Sequence, residues 1–201
     1  MTAEAVIPEM TSSSLPDWVF PPPGGFAAEA LDHIPDLPAH TELIDGSLVF
    51  VRPRASFHTL LVDLLTVALR QAAPARMRVR REMSLILAKA QRPEPDLMVI
   101  KTEAVRGNDD TYYKAGDVVL IVEVVSPESK VRDHRRKPQL YAEAGISHFW
   151  LIEKNSGGPT AYVYELDPVT RSYVITGIHR DRLKLTVPFD LDIDLTEIDD
   201  L

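Results

Sequence analysis

Two acidic residues at the ends of separate apolar runs constrain this chain more than any other feature. Asp96 lies in the run PEPDLMVI, and Glu123 lies late in the run VVLIVEVVSP. Each run is typical of a short and mostly buried strand. A buried carboxylate costs free energy, and it persists mainly where it is paired or holds a metal ion. The two runs therefore predict a site with a chemical role.

Length and composition indicate one soluble globular domain. The chain has 201 residues, of which 45% are hydrophobic and 26% are charged, and these are the proportions of a soluble protein with a sizeable core. Residues 1–25 are rich in Pro, Ser and Thr, which predicts a flexible N-terminal arm. Residues 26–201 are then expected to form the domain.

The cellular setting is inferred from three absences in the sequence. There are no cysteines, which excludes disulfides, thiolate metal sites and a cysteine nucleophile and fits a reducing compartment. No apolar stretch approaches the ~18 residues of a transmembrane helix. The first ten residues lack the basic and apolar regions of a signal peptide. We therefore expect a cytoplasmic protein with no membrane partner.

The net charge of −8 is unusual for a DNA-binding protein, since phosphate contacts favour basic surfaces. The basic residues nevertheless form two clusters along the sequence. One contains Arg76, Arg78, Arg80 and Arg81, and the other Lys130, Arg132, Arg135, Arg136 and Lys137. A local basic face is compatible with nucleic acid, while ordinary solvated charge is the competing interpretation.

The order of predicted elements indicates an α+β fold, with a central mixed β-sheet flanked by helices and extra antiparallel strands near the C-terminus. Asp45-Gly46 predicts a tight hairpin turn, and apolar spacing predicts a helix from Ser56 to about Ala72. Pro138 is expected in the first turn of a second helix that ends at Gly145. VVLIVEVV is interpreted as the central strand, and GNDDTYYKAGD as a polar loop. Further predicted elements are a short helix at 27–33 and strands in RVRREMSLILA, DLMVI, ISHFWLIEK, AYVYEL, RSYVITGI and LKLTV.

The two carboxylates have the chemistry of a magnesium site. Mg²⁺ takes hard oxygen ligands and keeps several waters, so two or three carboxylates suffice to bind it. If the strands of Asp96 and Glu123 pair with the acids level, both can reach one ion, and the Val124 carbonyl is a further candidate ligand. Such an ion can activate water for phosphodiester hydrolysis. A buried salt bridge from Glu123 to Lys137 or Arg132 is the competing structural interpretation.

Several motifs of this chain resemble the Uma family, a bacterial branch of the PD-(D/E)xK restriction-endonuclease-like superfamily. They are PEPDLMVI and IVEVVSPESKVRDHRRKPQLYAEAGISHFWLIE, supported by TELIDGSLVFVRP with Phe57-His58 and by LKLTVPFDLDIDL. The resemblance covers roughly residues 27–195. It implies a restriction-endonuclease-like core and DNA cleavage that depends on Mg²⁺ or Mn²⁺ and leaves a 5′-phosphate. Related folds often work as dimers, which favours a homodimer.

The resemblance also assigns roles to individual residues. Asp96 matches the aspartate of the PD motif, Glu123 the acid of the second motif, and Glu42 an upstream glutamate that accompanies the metal site. The lysine expected two residues after Glu123 is absent, and Val125 stands there. Lys137 fits a position to which that lysine has moved, in the following helix.

Two further sets of assignments leave alternatives open. Asp133 precedes Lys137 by four residues, so a surface ion pair competes with a catalytic role for this lysine. The candidate substrate contacts are His58, Arg132, Arg135 and Tyr141. For His58 a helix-capping or structural role competes, and for Tyr141 a place in the core.

The sequence thus favours a metal-dependent endodeoxyribonuclease with DNA as its partner. Asp96, Glu123 and Lys137 are its predicted catalytic residues, and Asp96, Glu123, Val124 and Glu42 its predicted metal ligands. A nuclease-fold protein without cleavage activity that binds nucleic acid or protein is the alternative, which the displaced lysine and the acidic charge keep open. A hydrolase of small phosphate esters is a third, weaker interpretation.

Overall fold

Residues 16–201, the part of the chain that the structure describes, form an α+β fold in this computed structural model. The strands are β1 (Glu42–Ile44), β2 (Ser47–Val49), β3 (Met77–Arg81), β4 (Ser84–Ile86), β5 (Leu97–Lys101), β6 (Tyr112–Lys114), β7 (Val118–Val124), β8 (His148–Asn155), β9 (Gly158–Asp167), β10 (Ser172–His179), β11 (Arg182–Leu185) and β12 (Leu191–Asp194).

Two α-helices accompany these strands, α1 (Ser56–Ala72) and α2 (Lys137–Glu143). A π-helical turn, Arg132–Arg136, leads directly into α2. Short 3-10 helices lie at Asp17–Val19, Ala28–His33, Thr102–Ala104, Ala115–Asp117 and Leu195–Asp200. Within residues 16–201, none of the helices has the length and hydropathy needed to cross a membrane.

A six-stranded mixed sheet with the order β10-β9-β8-β7-β5-β3 is the centre of the fold. β7 pairs in parallel with β8 and antiparallel with β5, so it lies inside the sheet as its apolar sequence predicts. Helices cover both faces. The predicted α+β architecture with a central mixed sheet and additional antiparallel strands is confirmed.

The alternation of side chains along β7 decides which face receives its carboxylate. Leu120 and Val122 pack in the core under α1, while Ile121 packs in the core on the α2 side. Successive side chains of a strand point to opposite faces. Glu123 therefore lies on the α2 face, where Tyr141 of that helix is also buried.

The hairpin of β1 and β2 brings a further carboxylate toward the same end of the sheet. Asp45 and Gly46 both have positive φ angles, 52° and 74°, as the predicted tight turn requires. Leu43 exchanges backbone hydrogen bonds of 2.9 and 2.7 Å with Arg92. This bridge holds Glu42 beside the segment that leads to Asp96.

Some predicted elements differ from the structure. The helix at 27–33 is a 3-10 helix. RVRREMSLILA is not one strand, because Glu82 adopts a positive φ of 48° and separates β3 from β4. The prediction of a polar loop for GNDDTYYKAGD was wrong in part, since β6 forms there and pairs with β4. Tyr113 of β6 is buried in the core, a long-range contact that the polar composition of the segment conceals.

The predicted flexible arm falls largely on residues 1–15, which lie outside the described residues. Within residues 16–25 the chain forms one 3-10 turn and then meets the hairpin at Gly25. A Cβ atom on Gly25 would lie 2.9 Å from the Gly46 carbonyl oxygen, and φ of Gly25 is 83°. This close contact of two backbones favours glycine at position 25.

Candidate active site

Lys137 lies at the centre of a buried cluster of carboxylates. Its Nζ atom is 2.8 Å from Oε1 of Glu42, 3.1 Å from the carboxylate of Glu123 and 3.6 Å from Oδ1 of Asp133. Each of these side chains is at most 3% exposed. The competing interpretation of Lys137 and Asp133 as a surface ion pair does not hold, because both residues are buried within a larger cluster.

The π-helical turn places two members of this cluster on one side of the helix. The Lys137 N–H donates to the carbonyl of Arg132, the i to i+5 bond that defines the turn. Asp133 and Lys137 both point inward, whereas His134 and Arg135 between them are exposed. π-turns are frequent at functional sites, since they reposition side chains within a helix.

Asp96 lies opposite Glu123 at the end of the β5–β7 pairing. Leu97 pairs with Val122, so the next residues along both strands are Asp96 and Glu123. Oδ2 of Asp96 accepts a 2.7 Å hydrogen bond from the Val124 N–H, and Oδ1 lies 3.0 Å from His58 Nε2. The predicted neighbouring placement of the two strands is confirmed.

The Asp96 carboxylate is held in its charged form. Burial acts to raise its pKa, but the hydrogen bond with His58 and the charges of His58, Arg54 and Lys137 bring the pKa below its usual value. Nη2 of Arg54 reaches Oδ1 at 3.3 Å. A carboxylate with these partners is oriented from several directions before any substrate arrives.

Tyr141 fixes the carboxylate of Glu123. Its hydroxyl donates a 2.5 Å hydrogen bond to Oε1 of Glu123, and the tyrosine side chain is fully buried. Burial, together with the negative charges of Glu123 and Glu42, raises the pKa of Tyr141 well above its usual value. The residue is therefore a hydrogen-bond donor to Glu123 and lies away from the protein surface.

Negative charge exceeds positive charge inside the cluster. Burial, followed by the charges of Asp133, Asp96 and Glu42, raises the pKa of Glu123 well above its usual value, although Lys137 opposes this. Burial also raises the pKa of Asp133. The pKa of Lys137 is raised as well, because the carboxylates around it outweigh its burial. An additional cation would favour the charged forms of these carboxylates and would therefore be stabilised in the cluster.

The donor set fits a hard divalent cation, although the carboxylates now surround an ammonium. Oδ1 of Asp133 is buried and has no hydrogen-bond partner among the described residues. The N–H and C=O of one strand residue point to the same edge, so the Val124 carbonyl is directed to the edge of β7 at which its N–H meets Asp96. Within residues 16–201 no three acidic or histidine side chains converge as a preformed metal site. Binding an ion here would therefore require Lys137 or the carboxylates to shift.

Two adjoining cavities lie beside this cluster, and one of them reaches Asp96. A cavity of about 340 Å³ reaches Asp96 and is lined by His40, Val51, Arg52, Pro53, Arg54, Glu82, Glu94 and Asp96. A second of about 390 Å³ is lined by Phe50, Val51, Arg52, Arg54, Ser126, Glu128, Ser129 and Arg132. The 50–54 segment after β2 borders both cavities. We refer to the two cavities together as the cleft.

The structure separates the predicted substrate contacts. Arg132 lines the cleft, whereas Arg135 lines a different cavity on the far side of α2. His58 and Tyr141 are buried, and each contacts a carboxylate of the cluster.

Sequence reasoning missed two contributors to the site. Asp133 was considered only as an ion-pair partner, and its spacing from Lys137 was the available signal. Arg54 was not singled out, because nothing local marks a residue whose partner, Asp96, is 42 positions away.

Comparisons with known proteins identify the family of the chain and a structure of similar fold. A model of the family Uma2, described as "Putative restriction endonuclease", matches residues 28–196. The chain is similar to a solved structure described as "a putative nuclease belonging to DUF820" from Anabaena variabilis ATCC 29413. The identity is 15%, the TM-score is 0.67, and the alignment covers 86% of this chain and 97% of that one. This likeness shows a shared fold.

More distant matches are two NucC structures. The apo form from E. coli MS115-1 has 10% identity and a TM-score of 0.33, with 59% of this chain and 81% of that one covered. The form from P. aeruginosa ATCC27853, described as cAAA-bound, has 10% identity and a TM-score of 0.32, with 63% and 85% covered. No curated protein matches the chain.

Proposed function

The chain belongs to the Uma2 family, and from that premise we propose that it is a metal-dependent endonuclease that hydrolyses phosphodiester bonds of DNA. The observation that carries the proposal is the buried cluster of Glu42, Asp96, Glu123 and Asp133 around Lys137. Such a cluster is costly to bury. Because the cluster lies beside an open cleft, a functional role would explain why the protein retains these buried charges.

Asp96, Glu123, Glu42 and the Val124 carbonyl are the groups that would hold Mg²⁺ or Mn²⁺. All are oxygen donors, as these ions prefer. When bound, the ion would supply a Lewis acid and lower the pKa of a coordinated water. His58 and the Val124 N–H hold Asp96, and Tyr141 holds Glu123, so both carboxylates are oriented in advance.

Lys137 is the residue that we assign to stabilise charge in the transition state. Its ammonium is charged because the surrounding carboxylates raise its pKa well above the usual value. It is compact and carries three donors, so it can keep a contact with Glu123 while another N–H binds a nonbridging phosphate oxygen or the attacking water. The buried position keeps competing water away from this contact.

A binding protein without cleavage activity is the second candidate. It is favoured by the present partners of the carboxylates, since Lys137 and Arg54 partly neutralise the cluster without a metal ion. In that case the cluster would be a structural ion-pair network, and the cleft would bind nucleic acid or protein alone.

Calorimetric titration with Mn²⁺ separates the two candidates. The endonuclease proposal expects saturable binding that Glu123→Gln weakens strongly. Glu153→Gln is the matched control, because Glu153 is an acid of β8 that contacts the partly exposed His134. Absence of Mn²⁺ binding in the wild type would favour the binding protein. End analysis of a cleaved oligonucleotide should then show a 5′-phosphate.

The proposal includes a homodimer, by analogy with nucleases that cut two strands. β10 is an edge strand of the sheet and exposes Val174, Ile175 and Ile178. Long apolar edge strands are frequent association surfaces. Sedimentation velocity at several protein concentrations tests the dimer, and a monomer at all of them would remove it from the proposal.

A further inference from the structure

We propose that the cavity of the cleft lined by Phe50 and Arg54 binds an unpaired nucleotide. Its base would lie against the ring of Phe50 and its phosphate on Arg54. The inference rests on the proposed nuclease function, since it names the substrate class of that site. It predicts a preference for single-stranded DNA, or for duplexes with unpaired nucleotides beside the scissile bond.

Phe50 is an aromatic side chain with a large exposed surface at the mouth of the cleft. It follows β2 directly and is 47% exposed. Trp18 contacts it in an edge-on arrangement, with ring centroids 6.3 Å apart and planes at 66°. This contact helps to fix the ring while leaving much of it in solvent. An aromatic ring held in this way is a platform on which a base can stack.

Arginine side chains surround the cavity that Phe50 lines. Arg52, Arg54 and Arg132 all border it, and Glu128 is the single carboxylate among its lining residues. A cavity with this excess of positive charge favours an anion. Arginine is suited to phosphate because its planar guanidinium presents donors in a fork. The overall charge of −8 makes this local arrangement stand out.

Arg54 borders both cavities of the cleft. It therefore connects the cavity at Phe50 with the carboxylate of Asp96. Its Nη2 contacts Asp96, and within residues 16–201 no other side chain accepts a hydrogen bond from it. A guanidinium has five N–H donors, so most of those on Arg54 are available to a ligand. A phosphate on Arg54 would therefore lie next to Asp96, where the proposed reaction takes place.

Arg132 supplies a second guanidinium to the same cavity. Its Nε atom is buried and has no hydrogen-bond partner among the described residues. A buried donor without a partner is unfavourable, so a shift of the side chain that opens this N–H to the cavity would let a phosphate oxygen satisfy it. The volume of about 390 Å³ lies within the range of cavities that hold small molecules.

The combination of ring and arginines selects for unpaired nucleotides. In a duplex the base faces are stacked on each other and are not accessible to a protein ring. Proteins that bind single strands combine a positive groove with aromatic rings on which bases stack. Phe50 and Arg54 border one cavity, so a single nucleotide in it would contact both.

The test is a comparison of binding to single-stranded and duplex DNA by metal-free protein. Fluorescence anisotropy in EDTA would use a strand of about 12 nucleotides, within the usual site sizes, and a duplex of the same sequence. We expect the wild type to bind the single strand more tightly. Phe50→Ala should weaken that binding by about tenfold and leave duplex binding unchanged, while Phe50→Trp should retain it.

The arginine has a separate signature in the same assay. Arg54→Ala should weaken both complexes and reduce the salt dependence for the single strand by about 0.7 in log–log slope, the value of one phosphate contact. Arg70→Ala is the charge control, because Arg70 lies in the last turn of α1, at the other end of the helix from Arg54. Val169→Ala is the control for lost exposed apolar surface, because Val169 is 88% exposed and lies in the turn between β9 and β10.

Base stacking has a direct readout with 2-aminopurine in the single strand. Its fluorescence should be quenched on binding to the wild type and much less on binding to Phe50→Ala. Equal affinity of Phe50→Ala and wild type for the single strand, or tighter wild-type binding to the duplex, would overturn the inference. Both results are obtained without metal, so they are independent of whether the protein cleaves DNA with Mn²⁺.

Discussion

Nζ of Lys137 lies 3.1 Å from the carboxylate of Glu123, and both side chains are excluded from solvent. The lysine comes from the first turn of α2 and the glutamate from the end of β7, fourteen residues earlier. The motif that this chain resembles has a lysine two residues after the glutamate, where Val125 stands here. The Lys137 ammonium contacts the same carboxylate from the following helix. Under the proposed function, the cluster around it would supply the parts of a nuclease site in an altered order along the chain.

Replacing Lys137 should affect stability and catalysis together. Lys137→Ala leaves several carboxylates buried without their cation, which should lower the free energy of unfolding by about 3–5 kcal/mol in EDTA. Mn²⁺ should restore part of that loss, because it supplies positive charge. Single-turnover cleavage with Mn²⁺ should fall by about 10²–10³-fold, and Lys137→Arg should rescue poorly because a planar guanidinium does not replace a compact ammonium.

Lys154→Ala is the matched control for this lysine, since Lys154 is an exposed residue of β8. It should leave both stability and cleavage unchanged. Cleavage at the wild-type rate by folded Lys137→Ala would exclude a role for this ammonium in the transition state.

The stability of the metal-free protein should fall as the pH rises above the ordinary carboxyl range. The folded-state pKa of Glu123 is raised well above 4.5, chiefly by burial. A raised folded-state pKa means that the folded protein binds the proton more tightly, so this contribution is complete below about pH 4.5 and is lost as the pH rises through the raised pKa. Thermal melts in EDTA over this window should show the decline, and Glu123→Gln should reduce it. A wild-type melting temperature that rises throughout the window would contradict the direction of this pKa shift.

Removing the hydroxyl of Tyr141 should weaken the site without dismantling it. Tyr141→Phe keeps the buried ring and deletes one hydrogen bond to Glu123, at a cost of about 1–3 kcal/mol in unfolding free energy. Because Glu123 loses a donor that favours its charged form, Mn²⁺ affinity should fall most at low pH. Tyr162→Phe on β9 is the control, and calorimetry at two pH values measures the difference. Identical Mn²⁺ affinities in Tyr141→Phe and wild type would show that the hydroxyl serves packing alone.

His58 should act on the metal through Asp96. His58→Ala removes the 3.0 Å contact with Oδ1 of Asp96, so the carboxylate loses one of the groups that orient it. We expect a 10–100-fold loss of Mn²⁺ affinity, which is typical when a partner of a metal ligand is removed. His134→Ala is the control, because His134 is exposed and contacts Glu153 instead. Unchanged affinity in folded His58→Ala would argue that Asp96 is held by Val124 and Arg54 alone.

Sequence periodicity was sufficient to place the main carboxylates. The alternation in VVLIVEVV fixes Glu123 on the face opposite to Val122, and the strand pairing follows from two adjacent apolar runs. The Asp45-Gly46 turn and the helix from Ser56 were likewise predicted, because each depends on local chemistry.

Contacts between distant segments were not predictable in the same way. The π-helical turn that buries Asp133 has no local sequence signature, and the contact of Arg54 with Asp96 joins residues 42 positions apart. Arg135 was grouped with Arg132 by sequence, but the turn places them on different cavities. Which side of the helix each residue of this turn occupies depends on how the turn packs against the sheet.

The proposal that the buried cluster cleaves DNA is tested by nicking of supercoiled plasmid DNA by wild type and Glu123→Ala, with Mn²⁺ or with EDTA. We expect nicked and linear products from the wild type with Mn²⁺ alone, and none from Glu123→Ala, whose circular dichroism spectrum should remain that of a folded protein. Cleavage that persists in EDTA or in Glu123→Ala, or no cleavage by wild type that has bound Mn²⁺, would contradict it.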